Sequence, residues 1–117
     1  MSDITIIKVG QALIASIPEE LRDKDALGFE EDLIHRLEVT GLSGVLLDLS
    51  ALQMVDSFLG RLFVEIAAGA RLMGAHTVLV GIQPAVAITL VELGLELKGI
   101  HTALNTENGL RLLRSLR

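Results

Sequence analysis

The sequence predicts an α/β fold, a mixed and mostly parallel sheet entered through an N-terminal hairpin, on three observations. Short runs rich in Val, Ile and Leu alternate with longer segments whose apolar residues recur at helical spacing. Glycine or proline marks the junctions at Gly10, Gly41, Gly74 and Pro84. Half of the 117 residues are hydrophobic but only 3% are aromatic. The core must therefore be Leu, Ile, Val and Ala around Phe29, Phe58 and Phe63, a composition that suits a sheet packed on helices.

Taken in order, Ile4 to Val9 and Ala12 to Ile17 read as two strands around a turn at Gly10, the first alternating only loosely. Asp23 or Asp25 then caps a helix whose apolar positions Ala26, Phe29, Leu33 and Leu37 share one face, with Gly41 as its stop. Gly44 to Leu49 is the next strand. The helix opened by Ser57 turns Leu59, Leu62, Phe63, Ile66, Ala67 and Ala70 to one side and ends at Gly74. Thr77 to Ile82 is a strand, and Pro84 to Leu93 a helix with proline in its first turn. A short strand near Ile100 to Ala103 and a last helix from about Asn105 complete the order ββαβαβαβα. Leu72 to Val91 has no formally charged residue and is long enough to span a bilayer. The breaks at Gly74 and Gln83-Pro84 make it a buried strand followed by a helix, so no transmembrane segment is read.

Ten Lys and Arg against fifteen Asp and Glu give a net charge of -5. This balance argues against a phosphate-backbone partner, because nucleic-acid binders concentrate basic side chains. Arg111, Arg114 and Arg117 recur on one face of the last helix and read as a solvated stripe that complements the helix dipole. There is no cysteine, hence no disulfide framework, and Met1-Ser2-Asp3 lacks the basic start and apolar run of a signal peptide. A cytoplasmic location and a single domain over residues 1–117 are the expectation. Positive mean hydropathy and the uncharged stretch from Leu72 to Val91 predict self- or hetero-association.

The side chains offer little to catalysis. His35, His76 and His101 fall in three elements without an acidic or nucleophilic neighbour at motif spacing, and His76 reads as a partly buried edge residue. Glu30-Glu31-Asp32 points in several directions around a helix and reads as a solvated face. Gly41-Leu42-Ser43-Gly44 lacks the spacing and Lys of a phosphate-binding loop. No catalytic activity, cofactor or metal is expected.

The informative stretch is Asp48 to Phe58, where a hydrophobic strand passes through a short link into an Asp-Ser pair that opens a helix. The first N–H groups of a helix lack internal partners and carry partial positive charge, so a phosphoryl group on Ser57 would meet donors aimed at it. On position alone Ser57 reads as an ordinary helix cap, and Asp56 as an acid favoured beside any helix start. Strand C-terminal ends in parallel sheets are where ligand-facing residues gather, and Asp48, Asp56 and Ser57 fall there.

The run from Val45 to Leu62 resembles the core motif of the STAS domain, the fold shared by anti-sigma-factor antagonists and the cytoplasmic tails of sulphate transporters. Asp48-Leu49-Ser50, Leu52, Val55, Asp56-Ser57 and Leu59 carry the likeness. Many antagonists follow the Asp-Ser with a small hydroxyl residue and glycine, whereas here Phe58-Leu59 precede Gly60. Asp-Ser-Phe, with Gly81-Ile82-Gln83-Pro84-Ala85-Val86-Ala87 and Leu90-Val91-Glu92-Leu93-Gly94-Leu95, is similar to the short STAS subunits of the stressosome, the RsbS branch. That resemblance implies a single STAS domain with about four helices packed mainly on one face of the sheet. It implies Ser57 as phosphoacceptor within a partner-binding switch loop of Asp48, Asp56, Ser57 and Phe58. The partners it implies are a serine/threonine kinase of the RsbT type and larger STAS paralogues of the RsbR type, the kinase being held until Ser57 is modified. Two further readings stay open: a stand-alone antagonist that binds an anti-sigma kinase, and a STAS module that binds a small ligand or nucleotide. A receiver domain phosphorylated on aspartate fits badly, because Ile6-Ile7-Lys8-Val9-Gly10 supplies no acidic pair.

Overall fold

The computed structural model describes residues 4–95, 97 and 99–117; the Met1-Ser2-Asp3 start lies outside them. Strands β1 (Ile6–Val9) and β2 (Ala12–Ser16) form the hairpin, followed by α1 (Asp23–Thr40), β3 (Gly44–Asp48), α2 (Ser57–Leu72) and β4 (His76–Val80). Helix α3 (Pro84–Glu92), β5 (Ile100–Ala103) and α4 (Thr106–Ser115) complete the predicted order. The strands lie in sequence order across one sheet, β1 antiparallel to β2 and β2 to β5 mutually parallel.

Strand β3 occupies the centre, and its Gly-Val-Leu-Leu run is buried throughout, as expected of a parallel strand covered on both faces. Alternation divides its side chains. Val45 and Leu47 join Leu13, Ala15 and Leu79 in a large core with Phe29 and Leu33 of α1, Phe63 and Ile66 of α2, and Val86 and Leu90 of α3. Leu46 turns the other way, toward Val78, Val80 and Leu113 of α4. Three helices thus cover one face and α4 the other. The α4 backbone comes very close to the sheet at Gly109, where an added Cβ would stand 2.7 Å from Val80 Cγ1 and 2.9 Å from Leu46 Cδ1. Glycine is required there by space.

The apolar positions expected on α1 and α2 are the buried ones, including Ala26, Phe29, Leu33 and Leu37. The expected cap of α1 is corrected. Arg22 occupies the N-cap with extended φ and ψ and makes no side-chain cap bond, while Asp23 already belongs to the helix. The first turn closes through Ala26 N–H donating to the Arg22 carbonyl at 2.9 Å, so Asp23 and Asp25 serve the helix by charge near its start. Strand β4 begins one residue earlier than expected and ends at Val80 rather than Ile82. At Gly81 the backbone turns to φ 69° and its N–H donates to the Leu104 carbonyl, which takes the chain out of the ladder. Within Leu72 to Val91, residues Thr77 to Val80 are buried, whereas Leu72 is 90% and Val91 79% exposed. Among the described residues no helix is long and apolar enough to cross a membrane.

Candidate functional site

The link between β3 and α2 lies at the C-terminal end of the sheet and is held down by apolar residues at intervals. Leu49, Leu52 and Val55 are buried in the main core, and Leu59 follows one turn into the helix. Between these anchors Ser50, Gln53, Met54 and Asp56 face solvent. Two polar contacts fix the near side of the link. Asp48 Oδ1 accepts from Ser50 N–H at 2.9 Å, and Gln83 Nε2 donates to the Ser50 carbonyl at 2.6 Å. Gly81 packs against them, with the position of an added Cβ 3.0 Å from Ser50 Cβ and 3.2 Å from Asp48 Oδ1.

At the far side, Asp56 is the N-cap of α2. Its φ of -109° and ψ of 179° are extended, and its Oδ1 accepts from Leu59 N–H at 2.8 Å. The alternative of Ser57 as the cap is thereby corrected: Ser57 is the first helical residue, one step too late for its hydroxyl to serve the free N–H groups as a cap does. Ser57 is partly exposed, and its Oγ instead accepts a hydrogen bond from Arg61 Nη2 at 3.4 Å. Phe58 is partly buried and packs on the main core. Helix α3 and the turn after it arrive beside this helix start: an added Cβ on Gly60 would collide with Leu95 and stand 3.4 Å from Leu90.

Of the four residues expected to act together, Asp56, Ser57 and Phe58 form the helix start, while Asp48 shapes the loop by holding Ser50. Arg61 and Gln83 were not anticipated. Arg61 stands at i+4 from Ser57, a spacing visible in the sequence; Gln83 is 33 residues from Ser50 and only the fold brings them together.

Other candidate groups fall elsewhere. Glu30 is partly buried and faces Glu65 of α2. Burial raises its carboxyl above the ordinary range, and the Glu65 charge, a hydrogen bond to Glu65 and the charge of Glu31 push the same way. The Glu30-Glu31-Asp32 run is thus not a uniformly solvated face. His76 and His101, in separate strands, meet edge to face with ring centroids 5.6 Å apart. Burial first, then Arg71 and His101, hold His76 below the usual imidazole range. Arg111 pairs with Glu107 at 3.3 Å in the solvated manner expected of the C-terminal stripe. A groove of about 370 Å³ runs past Asp56 between Glu19, Glu20 and Arg22 on one side and Met54 on the other.

A sequence profile of the STAS domain matches residues 3–109. The chain belongs to the STAS domain family. Among solved structures it is similar to a serine-to-glutamate variant of Moorella thermoacetica RsbS, 43% identical over 98% of this chain and 97% of that one, with a TM-score of 0.87. A chain in a structure of the stressosome, described as a signal integration and transduction hub, is 45% identical over 96% of this chain and 97% of its own, TM-score 0.83. Among curated proteins, the RsbT co-antagonist protein RsbRA of Bacillus subtilis is 31% identical over 77 residues, 66% of this chain and 26% of that protein. This STAS chain therefore spans about a quarter of the length of the curated relatives it matches. Its fold is that of RsbS and of the anti-sigma-factor antagonist SpoIIAA.

Proposed function

We propose that this chain is a scaffold subunit of a stressosome-type complex that holds a serine kinase of the RsbT type and releases it when Ser57 is phosphorylated. The observation that carries the reading is the presentation of Ser57. A hydroxyl at the outward edge of a helix start, on a link pinned at Leu49, Leu52 and Val55, is accessible to a kinase without unfolding. The kinase moves the γ-phosphoryl group of ATP onto Ser57 Oγ; the hydroxyl proton is lost and ADP leaves. Likeness to RsbS over nearly the whole chain supports the scaffold role, and likeness to the RsbT co-antagonists supports assembly with larger RsbR-type paralogues.

The surroundings of Ser57 suit a protein partner. Met54 is 80% exposed on the link, and α3, apolar on its outer face as well as its inner one, leaves Ile88 and Val91 in solvent. A helix apolar on all sides belongs in an interior, so this surface favours an interface. A phosphoserine adds roughly -1.5 to -2 charges, and placing that charge inside an apolar contact weakens it by about 2–5 kcal/mol. That is enough to empty a micromolar complex.

The test is calorimetric binding of the cognate kinase to wild type, Ser57→Ala and Ser57→Asp, with circular dichroism as the fold control. Ser57→Ala is expected to hold the kinase persistently and Ser57→Asp to release it, less fully than phosphate because aspartate has less charge and fewer acceptor oxygens. Equal affinity for three folded proteins removes Ser57 as the gate.

A further inference from the structure

We propose that Arg61 is the built-in counter-ion for a phosphoryl group on Ser57, an inference that rests on the reading of Ser57 as phosphoacceptor. The two residues stand one turn apart on the outer side of α2, and Arg61 Nη2 donates to Ser57 Oγ at 3.4 Å. That oxygen is the atom that becomes the phosphoester oxygen, so the added phosphate oxygens emerge beside a guanidinium already turned toward them. The planar fork of arginine matches phosphate in two-point geometry, and the charge-assisted bonds it makes are stronger than the hydroxyl contact they replace.

Arg61 is free to take this role. Among the described residues it has no carboxylate partner, whereas Arg111 is held by Glu107 and Asn108 and Arg36 donates to the Ile6 carbonyl. The helix start alone is a poorer phosphate site than it looks, because the Asp56 carboxylate already takes the Leu59 N–H. The charged groups around the position are mostly acids: Asp56 next in the chain, Glu65 one turn beyond Arg61, and Glu19 and Glu20 across the groove, with Arg22 the other cation. Phosphorylation therefore does two things at once: it adds an anion and withdraws the Arg61 cation from any partner that had used it.

The inference is tested with phosphoserine installed at position 57 by genetic encoding, in wild type, Arg61→Gln and Arg61→Lys, each titrated by phosphorus NMR. In wild type the second phosphate ionisation, about 6 for free phosphoserine, is expected roughly 0.2–0.4 pH below that of Arg61→Gln, the size of an i,i+4 pair. Arg61→Lys is expected between them, and the difference should close in about 1 M salt, where charges are screened within about 3 Å. Coincident midpoints at low salt, in proteins shown folded by circular dichroism, overturn the assignment of Arg61. Because no kinase is involved, failure of a cognate kinase to modify Ser57 would overturn the proposed function while leaving this titration to decide Arg61.

Discussion

Replacing Asp56 by alanine should cost far more stability than replacing Ser57, although either residue alone reads as a good helix cap. The Asp56 carboxylate makes a 2.8 Å bond to the Leu59 N–H from an extended backbone, and it sits at the positive end of the 16-residue helix α2. Loss of such a cap costs about 0.5–2 kcal/mol, to which the charge contributes about 0.3–1. Asp56→Ala should therefore lose about 1–2 kcal/mol and Asp56→Asn, which keeps the acceptor, only about 0.3–1. Ser57→Ala gives up a long contact to an exposed arginine and gains helix propensity, so it should stay within about 0.5 kcal/mol of wild type. Urea unfolding at constant m-value measures all three, and Asp56→Ala should lower Tm by roughly 3–8 °C. A Ser57→Ala loss equal to that of Asp56→Ala would refute the assignment of the cap. It would also disqualify Ser57→Ala as a clean probe of kinase holding.

Thr77→Val should stabilise by about 1 kcal/mol in chemical denaturation, because the Thr77 hydroxyl is buried with no hydrogen-bond partner among the described residues and valine keeps its shape. Gly109→Ala should destabilise by about 1–2 kcal/mol despite the better helix propensity of alanine, since its Cβ would press into Val80 and Leu46; unchanged stability would mean that α4 shifts outward freely. Glu30 has a folded-state carboxyl raised above its unfolded value, so its contribution is present below the unfolded value and lost as pH rises through the raised one. Glu30→Gln should accordingly gain on wild type as pH rises above the ordinary carboxylate value of 4.5 in a series of urea melts. His76 has the opposite sign: its folded value is lowered, so stability should fall as pH drops below about 6.5, and His76→Gln should flatten that limb.

Periodicity made the inward faces of α1 and α2 legible, because only residues at one face of a 3.6-residue repeat reach the sheet. It could not choose between Asp56 and Ser57 as the cap. Both residue types accept from the N–H three positions on, and the decision lies in which backbone is extended. The element order gave the parallel sheet but not the side on which α4 packs. The clue was Gly109, a poor helix former in the middle of α4, explained by the close approach to Val80 and Leu46. The Asp-Ser pair marked the start of α2 at the end of the sheet, whereas the contact of Arg61 with Ser57 went unread although its i+4 spacing is visible in the sequence. Contacts such as Gln83 to Ser50 and Glu30 to Glu65 join residues far apart in the chain, and no local pattern encodes them.

The buried anchors of the β3–α2 link also bear on the kinetics of recognition. A partner that meets a segment already fixed by Leu49, Leu52 and Val55 orders little backbone on docking, so association need not wait for a rare conformation. With the arrival rate set by diffusion and shape, a chemical change at the outward edge of the segment acts chiefly on the lifetime of the complex. If Ser57 is modified as proposed, a bound kinase would then leave at the dissociation rate of the altered complex, with no refolding step in between.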